Sequence, residues 1–505
     1  MLGIERALAP LFPGWAARRA EARVKFDMLT RNYEGAKVSR RTQGWFPSNA
    51  TADTLLDRQL DRLRNRSRDL VRNNPYAAGG LDVLVAYQVG TGIIPRSNTG
   101  DLDLDKKADA LFGEWSAACD IVGTFDFHGL IAHAARTRSE AGETLVRKVK
   151  LSTAEMTRLR TPVPLALQLL EPEFLDILKD VVLDDGKIRH GVETDLWGRV
   201  RAYWLYDHHP GEYFTVTGRA MVASTRFPAA EILHLYRADR PGQLRGVPDL
   251  SPVLNRLRML DDYEDATFEQ ARIQACLAAF VTSDAGAGRG PLEGPVQDGT
   301  GQQRKTLAPG IIERLKPGED VKFLSPPPAN GFSEFARHQL RAVAQGYGIP
   351  YMMLTGDLAE ANYSSMRAGF LPFRRRIEQA QWLMLVPRLC DPLYQAFAEA
   401  AQLVGKLPQR QGPWPVRWSP PRFEFVDPVK DAEALIAEVR AGFKTWDQAV
   451  AEMGWDPKAQ LAEIAAWNAA AKAAGVILDT DPRYINNAGA AQDPAQNAKV
   501  QLSAP

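Results

Sequence analysis

A chain of 505 residues with 45% hydrophobic and 24% charged residues is long enough for several domains and can bury a large core. Its 62 Lys and Arg nearly cancel its 61 Asp and Glu, and a formal charge of +1 excludes a protein that grips nucleic acid over its whole surface. Three cysteines, Cys119, Cys276 and Cys390, lie too far apart for a disulfide framework or a four-ligand metal site, which points to a reducing compartment and structural thiols.

No apolar run approaches the roughly 18 to 20 residues that span a bilayer. Arg6, Arg18 and Arg19 are mixed with Glu5 and Glu21 rather than followed by an apolar stretch, so neither an export signal nor a membrane contact is expected. Residues 1–50 carry nine Lys and Arg against four Asp and Glu, with Pro10, Pro13 and Pro47, and read as a basic, loosely attached arm.

From Thr51 to Arg72 leucines and arginines alternate with Asp57, Asp61 and Asp69 at helical spacings. Six arginines there could form a DNA-binding face, but aspartates interleaved at three- and four-residue offsets make a salt-bridged helix surface the better reading. Asn73-Asn74-Pro75 stops this helix and starts a second that ends at Gly90; a third carries Leu104, Ala108, Leu111 and Trp115, and a fourth runs from about Asp126 to Ser139. Between about 142 and 245 the texture becomes alternation and turns (TLVRKVK, ALQLLEPEF, DDGKIRHG, AEILHLYR), which predicts strands and an α+β body.

Ser251-Pro252 reads as cap and first residue of a helix to about Phe280, with Leu250, Leu254, Leu257 and Leu260 on one side. A helix followed by a glycine-rich excursion offers few partners in its own chain for that apolar side, so an oligomer contact through Leu254, Leu257 and Leu260 is expected. The same helix is acidic at Asp261, Asp262, Glu264, Asp265 and Glu269, and for each of these singly a solvated face is the plainer reading. Residues 282–330 are glycine-rich and polar, with two short strands in IIERLK and DVKFLS. GAGRG within them has neither the spacing nor the strand-to-helix setting of a phosphate loop.

Helix resumes near Phe332, breaks at Gly348 and Pro350, and passes through the polar loop Gly356-Asp357-Leu358-Ala359-Glu360-Ala361-Asn362. A long helix follows, on which Met366, Phe370, Phe373, Ile377, Ala380 and Met384 share a face; Asn362 or Ser364 can cap it and Pro372 kinks it. Residues 406–427 are proline-rich with strand-like ends, and two or three helices fill about 428–475. Leu435, Ile436, Val439 and Phe443 share one face, and Val450, Met453 and Trp455 another. From Asp479 the lack of apolar residues predicts a disordered tail.

The chemistry of an enzyme is missing. Seven histidines form no H-E-x-x-H and no Cys/His cluster, His208-His209 read as a hairpin turn, and there is no G-x-S-x-G elbow. Asp180, Asp184 and Asp185 could in principle hold Mg²⁺ for a nuclease, but Gly186 beside them favours a turn at a strand end. No cofactor and no metal are expected. A metal-dependent nuclease or integrase-type enzyme, which needs clustered carboxylates, and a DNA-binding regulator, which needs a basic recognition helix, stand as the rival readings.

YGIPYMMLTGDLAEANYSSMRAG, together with RDLVRNNPYAAGGLDVLVAYQVGTGI (68–93), FPAAEILHLYRADRPGQLRGVPDLSPVL (227–254) and FVDPVKDAEALIAEVRAG (425–442), resembles lambda-type phage portal proteins in the same order along the chain. The resemblance implies an α+β portal fold: a basic N-terminal arm (1–50), an α/β wing (51–245), a stem helix (246–280), a small β-containing clip (281–331), a second stem helix (332–347), a tunnel loop (348–363), a long kinked helix (364–404), a return to the wing (405–427), a helical crown (428–478) and a disordered tail (479–505). It also implies a ring, typically of twelve subunits, at one capsid vertex in the virion after assembly in the host cytoplasm. Its partners would be double-stranded DNA in the channel, the terminase large subunit, a head-tail adaptor, and the major capsid and scaffolding proteins. In that setting Asp261, Asp262, Glu264 and Asp265 line a weakly repulsive channel wall. Asp357, Leu358, Glu360, Asn362, Tyr363, Ser364, Ser365 and Arg367 form the loop that meets passing DNA.

Overall fold

In the computed structural model the residues described are 47–57, 59–212, 223–275, 279–283, 296–297, 303–304, 319–323, 332–359, 363–421, 423, 428–453, 455 and 457–476, with scattered positions before 47. The basic arm therefore lies almost wholly outside the described residues, as do Cys276, most of 281–331 including IIERLK, and the tail from 477. The chain divides into two units, Met1–Leu55 and Leu56–Pro505. In the first, a helical turn starts at Ala52, and Thr51 Oγ1 accepts from the Thr54 amide at 3.3 Å.

The second unit opens with α1 (Leu60–Asn73) and α2 (Pro75–Gln88). Asn74 joins them: its Oδ1 accepts from the Ala77 amide at 2.9 Å, while Pro75 occupies the first helical position, where no amide is required. After β1 (Ile94–Ser97) come α3 (Leu102–Ser116), capped by Asp101, and α4 (Phe127–Ala141), capped by Asp126 through the Gly129 amide at 2.7 Å. Gly142 (φ +93°) ends α4 where the backbone of Gly246 and Val247 crosses it, and a Cβ there would come within 2.6 Å of the Val247 carbonyl carbon.

The strands expected between 142 and 245 are present. β2 (Glu143–Lys150) lies between β3 (Leu165–Leu170) and β9 (Ile232–Tyr236), antiparallel to both, with α5 (Thr153–Leu159) between β2 and β3 in the chain. β4 (Val181–Leu183), β5 (Gly186–Arg189), β6 (Val192–Asp195), β7 (Val200–Tyr206) and β8 (Ser224–Pro228) form an antiparallel meander. Asp184 and Asp185 sit in the β4–β5 turn and Asp185 pairs with Arg201 across the sheet, so the turn reading of these acids holds. His208 and His209 lie in the turn after β7, with His209 Nδ1 accepting from the Gly211 amide at 3.0 Å.

α6 (Leu254–Ala275) leads to β10 (Ala279–Ser283), β11 (Val296–Gln297), β12 (Gln303–Arg304) and β13 (Glu319–Phe323), in which β10 pairs with β13 and β11 with β12. The strand read from DVKFLS is thus β13. α7 (Phe332–Tyr347) and the short α8 (Tyr351–Thr355) precede one long helical rod. It comprises α9 (Tyr363–Ala380), a π-helical stretch Gln381–Cys390, and α10 (Asp391–Leu403). The sequence reading placed the irregularity at Pro372. The larger departure is the π-helical stretch, where Pro387 has no amide to donate into an i→i−4 ladder. β14 (Val416–Ser419) returns to pair with β1, and α11 (Pro428–Arg440), α12 (Trp446–Glu452) and α13 (Pro457–Ala473) close the chain.

Two cores carry most of the buried side chains. The first packs α3, α4, β2, β3, β9 and β14 around the π-helical stretch and α10, with Phe112, Trp115, Phe127, Tyr394 and Phe397 ring against ring and Cys119 and Cys390 buried among them. The second gathers Leu70, Leu81 and Leu84 from α1 and α2, Leu254, Leu257 and Leu260 from α6, Leu340, Val343 and Tyr347 from α7, and Phe373 and Ile377 from α9. This overturns the expected oligomer contact. Leu257 and Leu260 are 0% and 1% exposed within a single chain, and Leu254 is 5%. Their partners are supplied by α1, α2, α7 and α9, so no apolar side of α6 is left at these positions for a neighbour.

Candidate functional site

Within the segment singled out from the sequence, 348–367, the described residues are partly helical. Tyr351–Thr355 form a helical turn that buries Leu354, and Gly356 (φ +70°) ends it with its amide on the Met352 carbonyl at 2.9 Å. Asp357 is tied down: Oδ1 accepts from the Ala359 amide at 3.1 Å, Oδ2 from the Tyr351 hydroxyl at 3.3 Å. Leu358 stands exposed. Glu360 and Asn362 lie outside the described residues, so the expected Asn362 cap does too, while Tyr363, Ser364, Ser365 and Arg367 occupy the first turns of α9.

The acids of α6 separate into two kinds. Asp261 is a structural bridge: its Oδ1 accepts from Asn74 Nδ2 at 2.7 Å, tying α6 to the α1–α2 corner. Asp262 is exposed and pairs with Arg258 at 3.0 Å, and Asp265 is exposed. Burial raises the carboxyl pKa of Asp261 and of Glu264, and neighbouring carboxylates on the same helix push in the same direction.

Behind these helices lie charged clusters that sequence patterning missed. Glu143, the first residue of β2, is fully buried; Oε1 accepts from Arg64 and from Arg245 Nε at 2.7 Å, and Oε2 accepts from the Gly246 amide at 2.7 Å and faces His234 Nε2 at 2.9 Å. Burial alone would raise its pKa, but Arg245, Arg64 and His234 outweigh it and hold the carboxyl well below its ordinary value of 4.5. Arg68 forks onto both oxygens of Glu173, at 2.7 and 3.0 Å. Of the local helix-surface bridges expected along α1, Arg64 makes one, to Asp61 at 3.9 Å. The closer partners of Arg64 and Arg68 lie inward, on acids 79 and 105 residues away.

A third cluster joins α4 to the loop before α6. Arg138 donates to both oxygens of Asp249, at 2.7 and 3.2 Å, and Arg237 donates to Asp249 Oδ1 at 3.0 Å. It lines one wall of a cavity of about 770 Å³, whose other wall is the part of α9 from Pro372 onward, with Arg375 and Arg376, and the π-helical stretch with Arg388.

Nothing in these arrangements is built for bond-making. Among the described residues, the grouping with metal-ligand potential is Glu171, Glu173 and His209, and there Arg68 already supplies the positive charge, bidentate on Glu173 and 3.6 Å from Glu171. The Cys119 thiol is pushed up to about 12 by burial and by Asp120, and Cys390 is pushed higher still, which leaves both inert as nucleophiles. Among the described residues no helix is long and apolar enough to cross a membrane.

Residues 38–381 match the family model described as phage portal protein, lambda family. That span takes in β1–β13, α1–α8 and all of α9. A probable portal protein of Halomonas phage phiHAP-1 is 28% identical over 86% of this chain and 85% of its own length. The portal protein of Escherichia phage N15 and portal protein B of Escherichia phage lambda are 23% and 22% identical, each over 84% of this chain and 86% of their own. Among solved structures, the neck of an empty gene transfer agent particle computed with C6 symmetry contains a chain 17% identical to this one (83% of this chain, 98% of that one), at a TM-score of 0.41. An HK97 family phage portal protein from Corynebacterium diphtheriae is 12% identical (65% and 94%), at 0.31. These two overlays are resemblances and carry no further weight. With two thirds of its length matched by one family model, and with that match running unbroken through the helices and sheets described above, the chain belongs to the lambda family of phage portal proteins.

Proposed function

We propose that this chain assembles into a closed ring, of twelve subunits in the form typical of such proteins, and serves as the channel at one capsid vertex through which double-stranded DNA enters during packaging and leaves during ejection. Portal proteins of this family are structural, non-enzymatic components of the capsid. The observation that carries the reading is the continuous family match over 38–381, which takes in both sheets, α6, α7 and the 348–367 segment. In this reading α1–α5, the sheets and β14 make the wing, α6 and α7 the stem, β10–β13 the clip, 348–363 the tunnel loop and α11–α13 the crown. The clip side would dock a terminase large subunit, which supplies the ATP hydrolysis, and later a head-tail adaptor. The capsid and scaffolding proteins would surround the ring in the virion and, before that, in the host cytoplasm.

The tunnel loop works by position. Asp357, anchored by Tyr351, and Glu360 repel phosphate, while Asn362, Tyr363, Ser364 and Ser365 offer weak hydrogen bonds, so DNA is guided without the cationic contacts that would hold it. On the stem Asp262 and Asp265 are exposed, while Asp261 and Glu264 are half-buried.

Two experiments test this. Negative-stain imaging of the purified protein at micromolar concentration should show rings with a central hole, and a purely monomeric preparation would refute the ring. Rings carrying Asp357→Lys and Glu360→Lys should assemble normally yet impair packaging or release by retaining DNA in a salt-dependent way. Unchanged DNA movement at low salt would remove this loop from the DNA path.

A further inference from the structure

The cavity between α4, the β9–α6 connection and the α9 rod is lined by Arg138, Arg237, Arg375, Arg376 and Arg388, with Asp249 as the one acid among its lining residues. Asp249 is already shared by Arg138 and Arg237, and Arg375 pairs at the surface with Glu378 at 2.8 Å. Arg376 makes no hydrogen bond or ion pair among the described residues, although it is half-buried. Its guanidinium occupies the space beside Gly348, where an added Cβ would lie 1.1 Å from Nη1; burial lowers its pKa against the opposing pull of the Asp249 carboxylate, and Arg237 and Arg138 add to the lowering. Arg138 Nε, deep in the same wall, is also unpartnered. A half-buried guanidinium that shares its nearest acid with two other arginines and has none of its own is costly, and a planar fork selects carboxylate or phosphate oxygens.

The surroundings choose between these. Leu383 lines the same cavity 70% exposed, and Leu371, adjacent in the chain to the lining residue Pro372, is 56% exposed. A nucleic-acid backbone would leave both side chains wet. A protein surface carrying carboxylates and apolar groups would satisfy the arginines and cover the leucines together. Such a surface exists on this chain. The outer side of α6, away from its buried leucines, exposes Asp262, Asp265 and Glu269 beside Met259, which is 70% exposed, with Asp262 and Glu269 paired to Arg258 and Arg272 of the same helix at 3.0 and 2.6 Å. Asp265 has no ion pair among the described residues.

We propose that the arginine cavity receives the acidic outer side of α6 from a second copy of this chain. The inference rests on the ring reading and names its contact. Groove and helix side are different patches of one surface, so the contact is head to tail, the kind that closes a ring when the rotation per subunit allows.

The test uses full-length protein in two charge-reversed forms. One carries Arg375→Glu and Arg376→Glu, the other Asp262→Arg and Asp265→Arg. Each alone should be monomeric by native mass spectrometry at concentrations where wild type forms rings, with a monomer melting temperature close to wild type. An equimolar mixture should restore rings in which the two forms alternate, since each groove then meets a complementary helix. Arg375→Glu alone alters a side chain that is 82% exposed, and should raise the concentration needed for assembly about tenfold without touching the fold. Either double variant assembling as wild type overturns the contact, as does a mixture that stays monomeric. Wild-type rings that resist 1 M NaCl and all these variants refute the contact while keeping the ring, whereas a monomeric wild type refutes both. If ring formation survives in Arg375→Glu, Arg376→Glu but binding of a 30-base-pair duplex is lost, the cavity serves phosphate and the proposal fails.

Discussion

Glu143→Gln should be among the most damaging isosteric substitutions in this chain. The carboxylate is 0% exposed and accepts from Arg64, Arg245 and the Gly246 amide, with His234 at its remaining edge. An amide of the same shape keeps one acceptor and turns the other into a donor that faces donors. It also removes the main counter-charge of two buried guanidiniums, leaving Arg64 with Asp61 at 3.9 Å. Breaking a buried pair from one side costs about 3–5 kcal/mol, and a donor facing a donor adds to that the penalty of an unmade hydrogen bond. The assay is urea unfolding followed by tryptophan fluorescence, with Trp115 buried in the neighbouring core as reporter. A loss below about 1 kcal/mol, the size of an exposed pair, would refute the view that this cluster fastens α1, β2 and the turn before α6. Acid should act in the same direction. His234 holds a folded pKa below 6.5, chiefly through burial, and Glu143 one well below 4.5. Both are depressed relative to the unfolded chain, so their contributions are full above those ordinary values and are lost as pH falls. Stability of the wild type should therefore begin to drop below about pH 6.5 and fall further below about pH 4.5. Glu143→Gln should shrink the second step, leaving the part that Glu173 and Asp105, also held below their ordinary values, contribute.

Leu257→Ala should destabilise the monomer by about 3–5 kcal/mol, because the side chain is wholly buried in its own chain; an effect on ring formation with an unchanged unfolding midpoint would contradict the packing seen here. The thiols of Cys119 and Cys390 should react with a disulfide reagent only after denaturant unfolds the chain, and modification of either in native protein would contradict their burial. Purified protein should neither hydrolyse ATP nor nick duplex DNA in Mg²⁺ or Mn²⁺; activity that co-purifies with the protein and disappears in Asp184→Ala would revive the nuclease reading.

What the sequence made legible was local. Helical and alternating patterns placed α1–α4, the strands of 142–245 and α6, and Asn74-Pro75 marked a real helix-to-helix corner because cap and proline chemistry act within three residues. What it hid was long-range. The leucines of α6 find their partners on α7 and α9, some eighty to a hundred and twenty residues on, and Arg64 and Arg68 find theirs in Glu143 and Glu173. A helical charge pattern cannot distinguish an aspartate one turn away from a glutamate brought up by a sheet. The π-helical stretch was hidden for a different reason: its apolar side chains keep the three- and four-residue spacing of a plain helix, and Pro387 was the one residue that could have announced it. In the 348–367 segment, Gly356 and the polar residues signalled a break, but the burial of Leu354 and the Tyr351–Asp357 tie depend on α2 and α7 being in place.

The connection from Arg237 to Leu250 explains how a helix with a buried base can present a free outer side. Its residues are fastened at three points: Arg245 to Glu143, Gln243 Oε1 to the amides of Asp239 and Arg240, and Asp249 to Arg138 and Arg237, with the Asp249 amide on the Ser139 carbonyl at 3.0 Å. α6 starts five residues after Asp249, and its first turns are locked by Leu254, Leu257 and Leu260. Beyond the Asn74–Asp261 bond, Asp262, Asp265, Phe268, Glu269 and Arg272 are all exposed. The helix is thus clamped along its first half, and along its second Asp265, Phe268, Glu269 and Arg272 are exposed while Glu264, Thr267 and Gln270 stay half-buried.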